Sequence, residues 1–255
     1  MRSSASRMVL GLAIAAVLAG GFLLERHMSV PVGVIAAPTL QPSAPGVQQR
    51  LSALFVGDSF TAGAGVGGGT NSYACILART QGWACNVDAF GATGYLNDGA
   101  KFYPAPPPGR LVDRLPADAR IFTVDVVFLD AGRNDLGYEP RSVLEALTDA
   151  LSEVGRLWPT AQVVVIMPAY MSATPYANYT TLRAGFADAC EAADATLLDP
   201  VAEGWYSGAD IDIAAMQIED KVHPNPLGHQ FLAGRVAKSL VRNGLGEIVT
   251  AREPA

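Results

Sequence analysis

The sequence predicts an α/β fold in which helices cover both faces of a central parallel sheet of about five strands. Several short segments are rich in β-forming apolar residues and lack strict alternation, as buried parallel strands do. Helical patterns separate most of these segments, which favours right-handed crossover connections. The chain has 255 residues and is 50% hydrophobic, which is enough for one domain with a large core.

The predicted strands and helices follow from local pattern. The strands are expected at 51–56, 86–90, 124–131, 162–168 and 196–199. The helices are expected at 72–81, 141–157, 179–193 and 227–245. The pattern is clearest in 141–157, which repeats Val and Leu at helical spacing and is followed by Pro159.

The first 27 residues differ from the rest and indicate export. Arg2 and Arg7 precede an uncharged apolar stretch over 8–24, which Glu25 ends. A basic start before an apolar stretch is typical of a cleaved signal peptide, and the length also suits an uncleaved signal anchor. Both alternatives place the remainder outside the cytoplasm, either secreted or attached to the outer face of the membrane.

Composition then divides the rest of the chain. Residues 28–49 are proline-rich and predict a linker. The catalytic domain is expected at 50–246 and a short tail at 247–255. The net charge of −6 argues against a nucleic-acid partner, because phosphate binding needs clustered Lys and Arg.

The three cysteines suit an oxidising compartment. Cys75 and Cys85 are expected to join a helix to the next strand as a disulfide, with Cys190 left as a buried thiol. The alternative is three reduced core cysteines. No Cys-x-x-Cys pair is present and the chain has three histidines, so no metal site is expected.

A serine and a histidine far apart in the sequence predict a nucleophile and its base. Ser59 follows the first predicted strand, and Asp220 precedes His223 by three positions. A serine hydroxyl needs a base, and the base needs an orienting partner. Ser59 would attack an ester carbonyl, His223 would take its proton, and Asp220 would orient the imidazole. Taken singly, Ser59 suits a turn and His223 a loop, while His229 is expected to be structural.

Two further blocks supply candidate donors for a developing oxyanion. Residues 90–94 follow the second predicted strand and contain two glycines, which let backbone N–H groups approach a substrate. Residues 132–135 follow the third, and Asn134 there offers a side-chain amide. Each block alone is typical of a turn. Their order, and their place at strand carboxyl ends, favour a site.

Together the four blocks resemble those of the SGNH hydrolases, also called the GDSL esterase/lipase family. The first block reads Gly-Asp-Ser-Phe, with Phe60 where the family name has Leu. The third and fourth blocks fit the family's Gly-x-Asn-Asp and Asp-x-x-His-Pro patterns. The resemblance implies a three-layer α/β/α flavodoxin-like fold with no metal or organic cofactor. It also implies an oxyanion hole from the Ser59 and Gly94 N–H groups and the Asn134 amide, with Gly91 as the competing glycine.

The function expected from the sequence is that of an exported serine esterase. Its substrates would be small-molecule or cell-envelope esters with short-chain or carbohydrate-borne acyl groups, cleaved through an acyl-enzyme on Ser59. The alternatives are acyl transfer to another alcohol and a non-catalytic surface-binding protein on the same fold.

Several neighbouring segments are open to two interpretations. The glycine-rich segment 61–69 suits a mobile pocket rim, and the proline-rich segment 102–109 is expected to be a surface loop rather than part of the entrance. Asp58 is expected to brace the nucleophile turn. Arg133 suits either a substrate contact or a structural salt bridge.

Overall fold

Five parallel strands form one sheet in a computed structural model, which describes residues 50–245. The strands are β1 (Ser52–Gly57), β2 (Ala84–Ala89), β3 (Val126–Asp130), β4 (Gln162–Ile166) and β5 (Thr196–Leu198). Their spatial order is β2-β1-β3-β4-β5, and every pair is parallel. The predicted export segment 1–27, linker 28–49 and tail 247–255 lie outside the described residues.

Six α-helices connect or follow the strands. They are α1 (Ser59–Ala62), α2 (Tyr73–Gln81), α3 (Leu111–Asp118), α4 (Pro140–Leu157), α5 (Tyr179–Ala192) and α6 (Pro226–Arg242). Short 3₁₀ turns lie at Gly69–Asn71, Arg133–Asp135 and Ala214–Met216. No helix within residues 50–245 has the length and apolar character needed to span a bilayer.

The helices form one layer on each face of the sheet. Successive residues of β1 point to opposite faces of the sheet. Phe55 therefore packs with α2 and α6, and Leu54 packs with α3, α4 and α5. Both cores are apolar, which explains why the strand sequences do not alternate. The predicted three-layer α/β/α fold with a parallel sheet is therefore confirmed.

Two helices, α1 and α3, were not predicted from the sequence. No helix was expected over the residues of α3, which contain Pro116, a residue that removes one intrahelical hydrogen bond. The helix forms because Leu111 and Leu115 are fully buried against the sheet. Asp113 also accepts from the backbone N–H of Arg110 at its start. Tertiary burial outweighs the local penalty of proline.

A disulfide joins helix α2 to β2, the edge strand of the sheet. Cys75 of α2 is bonded to Cys85 of β2, across ten positions of sequence. Cys190 in α5 is free and buried, and burial raises the pKa of its thiol to about 12. Cys190 is thus an unreactive core residue.

Candidate active site

The nucleophile corner is built at the carboxyl end of β1. Asp58 caps α1 by accepting the Phe60 N–H at 2.9 Å, which places Ser59 as the first residue of the helix. Gly57 allows the sharp turn, because a Cβ there would lie 2.2 Å from the Thr61 hydroxyl and 2.7 Å from the Asp130 carbonyl. The corner presents Ser59 at the edge of the sheet where functional groups of parallel α/β proteins gather.

Ser59, His223 and Asp220 meet in a chain of hydrogen bonds. The Ser59 Oγ lies 2.9 Å from His223 Nε2, and His223 Nδ1 lies 2.6 Å from Asp220 Oδ2. The other Asp220 oxygen accepts the N–H groups of Val222 and His223 at 2.8 and 2.9 Å. The bond from the His223 ring, followed by these two N–H groups, lowers the pKa of Asp220 to about 2.

An ionised Asp220 determines the tautomer of the imidazole. A carboxylate is an acceptor only, so Nδ1 of His223 carries the proton in the neutral ring. Nε2 is then an acceptor facing the Ser59 hydroxyl. This is the arrangement that lets an imidazole remove a proton from serine.

The loop that carries His223, here called the histidine loop, is held in place by Asn225 at the start of α6. Asn225 caps that helix by accepting the N–H groups of Leu227 and Gly228, and its amide donates to the carbonyls of Ala215 and Gln217. These bonds fix the loop immediately after His223. The His223 ring is therefore held by a rigid element although it lies in a loop.

The glycine-rich loop after Ser59 comes close to the loop that carries His223 at the main chain of Gly65. A Cβ at Gly65 would lie 2.2 Å from the Pro224 carbonyl oxygen, and Gly65 has a φ of +88°. Only glycine fits this approach. Within the predicted pocket rim, Ala64 N–H donates to the Ser59 carbonyl and Gly68 N–H to the Gly63 carbonyl. The rim is thus a series of hydrogen-bonded turns.

The structure replaces Gly94 by Gly91 as the candidate oxyanion glycine. The Gly94 N–H donates to the Asn97 carbonyl at 2.9 Å, and a Cβ at Gly94 would lie 2.2 Å from an Asp135 oxygen. Gly94 is therefore a packing position. A Cβ at Gly91 would lie 3.7 Å from the Ser59 Cβ, and within residues 50–245 the Gly91 N–H has no hydrogen-bond partner.

Asn134 links the second and third motif blocks. Its side-chain amide donates to the Thr93 carbonyl at 2.9 Å. A primary amide has two N–H donors, and this bond uses one of them. With Ser59, Gly91 and Asn134 on one edge of the sheet, the site has the donor types that stabilise a tetrahedral oxyanion.

Asp135 organises the loop beside this donor set, a role that was not predicted from the sequence. Its buried carboxylate accepts the N–H groups of Tyr95, Leu96 and Asn97 at 2.7, 3.3 and 3.0 Å. The signal for this role was its place in the Gly-x-Asn-Asp block. These three donors explain why a carboxylate rather than an apolar residue fills this buried position.

Arg114 of α3 stabilises the loop that carries Gly91 through hydrogen bonds and an ion pair. Its guanidinium donates to the Gly57 carbonyl and the Thr93 hydroxyl, both at 3.2 Å, and pairs with Asp88 at 3.1 Å. It thereby ties the end of β1 to the loop that carries Gly91. No sequence motif marks Arg114, because it acts through long-range contacts from a helix that was not predicted.

A buried ion network lies beneath the nucleophile corner. Arg133 pairs with Asp58 at 3.1 Å and with Asp130 at 2.8 Å, and it donates to the Ala169 carbonyl. Its guanidinium also lies 4.3 Å from the Phe60 ring centre. Arg133 is therefore a structural ion pair and not a substrate contact. Burial raises the pKa of Asp58 to about 6 despite the opposing attraction of Arg133.

A cleft of about 370 Å³ opens beside Ser59. One wall is the glycine-rich loop over 62–68, and the other contains Gly91 and Tyr103. The segment 102–109 was expected to be a surface loop only, so the contribution of Tyr103 corrects that interpretation. A second cleft of about 500 Å³ lies between residues 210–216 and α6 and contains none of the candidate catalytic residues.

Several other aromatic residues near the motif blocks lie away from this cleft. Tyr95 and Trp205 are buried core residues. Tyr170 is partly exposed and donates to the Arg133 carbonyl at 3.2 Å. The part of the chain that the structure describes holds no group of three or more His, Cys, Asp and Glu side chains placed to bind a metal ion.

A three-layer parallel fold with a serine–imidazole pair at its strand ends defines a class of hydrolase. Residues 55–231 match the model of the GDSL-like lipase/acylhydrolase family, and the chain belongs to that family of ester hydrolases. Over 191 residues it is 29% identical to the GDSL lipase Rv0518 of Mycobacterium tuberculosis, a match that covers 71% of this chain and 78% of the relative.

Solved structures show the same fold. A family two carbohydrate esterase from Clostridium thermocellum, in complex with cellohexaose, is similar with a TM-score of 0.61 and 21% identity, covering 80% of this chain and 67% of that one. The salicylyl-acyltransferase SsfX3 from a tetracycline biosynthetic pathway is similar with a TM-score of 0.57 and 17% identity, covering 80% and 58%. The family predicted from the four sequence blocks is confirmed by the match of residues 55–231 to the family model.

Proposed function

We propose that the protein is an exported serine esterase that hydrolyses carboxylic esters with short-chain or carbohydrate-borne acyl groups. The proposal rests on one observation, the 2.9 Å contact between the Ser59 Oγ and an imidazole whose other nitrogen faces Asp220. Family membership supplies the ester chemistry, and the contact assigns it to named groups.

The reaction proceeds in two halves through an acyl-enzyme. As the Ser59 Oγ bonds to the ester carbonyl carbon, its proton moves to His223 Nε2 and the carbonyl oxygen becomes an oxyanion. The N–H groups of Ser59 and Gly91 and the Asn134 amide stabilise that charge. Collapse of the intermediate breaks the bond to the alcohol, which takes the proton from His223.

Water completes the cycle by the reverse sequence. His223 removes a proton from water as the water oxygen bonds to the acyl carbon, and a second oxyanion forms. Its collapse breaks the bond to Ser59 Oγ, which recovers the proton from His223. Asp220 remains ionised throughout and stabilises the imidazolium form.

The first test is Ser59→Ala with p-nitrophenyl acetate as substrate. Hydrolysis should fall by about 10³-fold or more, because the nucleophile is removed. Ser142→Ala is the matched control, since Ser142 is an exposed serine at the start of α4, and it should leave the rate unchanged. Full activity in a Ser59→Ala protein with a native circular dichroism spectrum would contradict the proposal.

Acyl transfer is the second candidate, supported by the fold shared with an acyltransferase and by the open cleft beside Ser59. The same acyl-enzyme serves both reactions, and the acceptor decides between them. Adding an alcohol acceptor and measuring the ratio of transferred ester to free acid separates them. A ratio of transferred ester to free acid no higher than the molar ratio of alcohol to water supports hydrolysis.

Export is proposed from the apolar segment over 8–24, and the Cys75–Cys85 disulfide supports it because such bonds persist in oxidising compartments. Carbohydrate-borne acyl groups are supported by the similarity to a carbohydrate esterase. Fractionation of cells that produce the full chain tests the location. Recovery in the cytoplasmic fraction alone would contradict export.

A further inference from the structure

Under the proposed esterase function, we expect the cleft beside Ser59 to lie on the acyl side of the scissile bond. His223 must protonate the departing alcohol, so the alcohol leaves toward the imidazole. The cleft is lined by Ser59, Gly91, Tyr103 and the loop over 62–68, and His223 is not part of its lining. This inference rests on the proposed serine esterase function. Under that function, the cleft receives the acyl group.

The two walls of the cleft are chemically different. The loop wall is formed by the glycines of 62–68 together with Ala62 and Ala64, so no side chain larger than a methyl group projects from it. The opposite wall carries one large side chain, Tyr103. The length of the acyl group is therefore limited from one side.

Tyr103 is close to the nucleophile and held in place. Its hydroxyl lies 3.5 Å from the position that a Cβ at Gly91 would take, and the Ser59 Cβ lies 3.7 Å from the same point. The backbone N–H of Tyr103 donates to the Gly99 carbonyl, and its ring lies over Gly99 so closely that a Cβ there would be 3.1 Å away. Its position is thus set by several contacts.

A second aromatic residue supports the ring. The Phe90 and Tyr103 rings meet edge to face, with centres 6.3 Å apart and an interplanar angle of 84°. The Arg114 guanidinium in turn lies 5.3 Å from the Phe90 ring centre. The buried Arg114 therefore anchors this pair of partly exposed rings to the core.

We propose that Tyr103 is a specificity-determining residue that forms one side of the acyl cleft close to Ser59 and makes the enzyme selective for short acyl groups. The ring acts by occupying space. Within residues 50–245 its hydroxyl has no hydrogen-bond partner, so removing the hydroxyl alone leaves the wall in place.

The experiment compares kcat/KM for p-nitrophenyl acetate, butyrate, octanoate and decanoate. Tyr103→Ala should raise the octanoate-to-acetate ratio by about 10-fold or more, because added methylenes then enter space that the ring filled. Tyr103→Phe should keep the wild-type ratio. Phe102→Ala is the matched control, since Phe102 is the adjacent ring and is 69% exposed, and it should also keep the ratio.

A ratio of two substrates is unaffected by the fraction of protein that is folded, so a destabilised Tyr103→Ala protein still gives a valid result. An unchanged ratio in Tyr103→Ala, or an equal shift in Phe102→Ala, would overturn the role of Tyr103 while leaving the esterase function intact. If wild type cleaves none of the four esters above the Ser59→Ala background, both proposals fail.

Discussion

At the scale of single residues, the candidate site depends on a carboxylate that stays ionised. Asp220 is partly exposed, yet three donors from Val222 and His223 hold its pKa at about 2. It is therefore negatively charged at neutral pH and can hold the His223 ring through Nδ1.

Asp220→Asn tests this role. An amide can donate to His223 Nδ1 and so favour the wrong tautomer, with the ring proton on Nε2. The value of kcat for p-nitrophenyl acetate should fall by about 10³- to 10⁴-fold. Asp210→Asn is the matched control, because Asp210 is an exposed carboxylate in the second cleft. A fall of less than tenfold in Asp220→Asn would argue against the orienting role.

The two glycines of the oxyanion loop should respond differently to alanine. In Gly94→Ala the new Cβ overlaps the buried Asp135 carboxylate, and the unfolding free energy should fall by about 1–3 kcal/mol or more. In Gly91→Ala the new methyl makes ordinary contacts at 3.5 and 3.7 Å. That variant should keep its unfolding free energy but hydrolyse esters more slowly, because the new methyl lies beside Ser59. Denaturant unfolding and ester-hydrolysis kinetics on both variants test this prediction. The reversed pattern, with Gly91→Ala destabilised and Gly94→Ala stable, would contradict it.

At the scale of elements, His229 fastens α6 to the nucleophile loop and to α2. Its Nδ1 accepts the Tyr73 N–H at 3.1 Å and its Nε2 lies 3.0 Å from the Ala64 carbonyl. A carbonyl only accepts, so Nε2 carries the proton and the ring is neutral. Burial lowers the pKa of His229. The structural role expected from the sequence thus extends to the wall of the cleft.

This contact predicts a pH dependence of stability. Below about pH 6.5 the unfolded chain protonates His229 while the folded chain resists protonation. Its stabilising contribution is therefore present above that pH and is lost as the pH falls. The unfolding free energy of wild type should decrease from pH 7.5 to pH 5 by more than that of His229→Gln, measured by urea unfolding.

The comparison separates the contribution of His229 from that of buried carboxyl groups such as Asp58. Asp58, with its pKa raised to about 6, contributes stability at low pH that is lost as the pH rises through that value. Its effect has the opposite sign but is common to both proteins, so it cancels in the difference. Equal pH slopes in wild type and His229→Gln would contradict the prediction.

At the scale of the whole molecule, the disulfide links a helix to an edge strand. Closing a loop of ten positions stabilises a folded chain by about 2–3 kcal/mol in the chain-entropy model. The double variant Cys75→Ala, Cys85→Ala should lose about that much unfolding free energy. A reducing agent should destabilise wild type by a similar amount and leave the double variant unchanged. A reductant-insensitive wild type would contradict the prediction.

The fold was predictable because its determinants are local or repeated along the chain. Apolar runs define the buried strands, and the ordered blocks place Ser59 and Asn134 after strand ends and His223 in the loop before α6. The choice between Gly91 and Gly94 was not predictable, since it depends on which N–H meets the Asn97 carbonyl. The partner of Arg133 and the direction of Tyr103 likewise depend on contacts between distant segments.

The main-chain wall over 62–68 has a consequence for how this enzyme can be changed. Glycine backbone offers no side chain to trim or enlarge, and Gly65 has no room for one against Pro224. Within the lining of the cleft, the large side chain that can be trimmed is Tyr103, in the proline-rich segment. A single variable surface opposite a fixed one would let close relatives diverge in selectivity while their nucleophile loops stay alike.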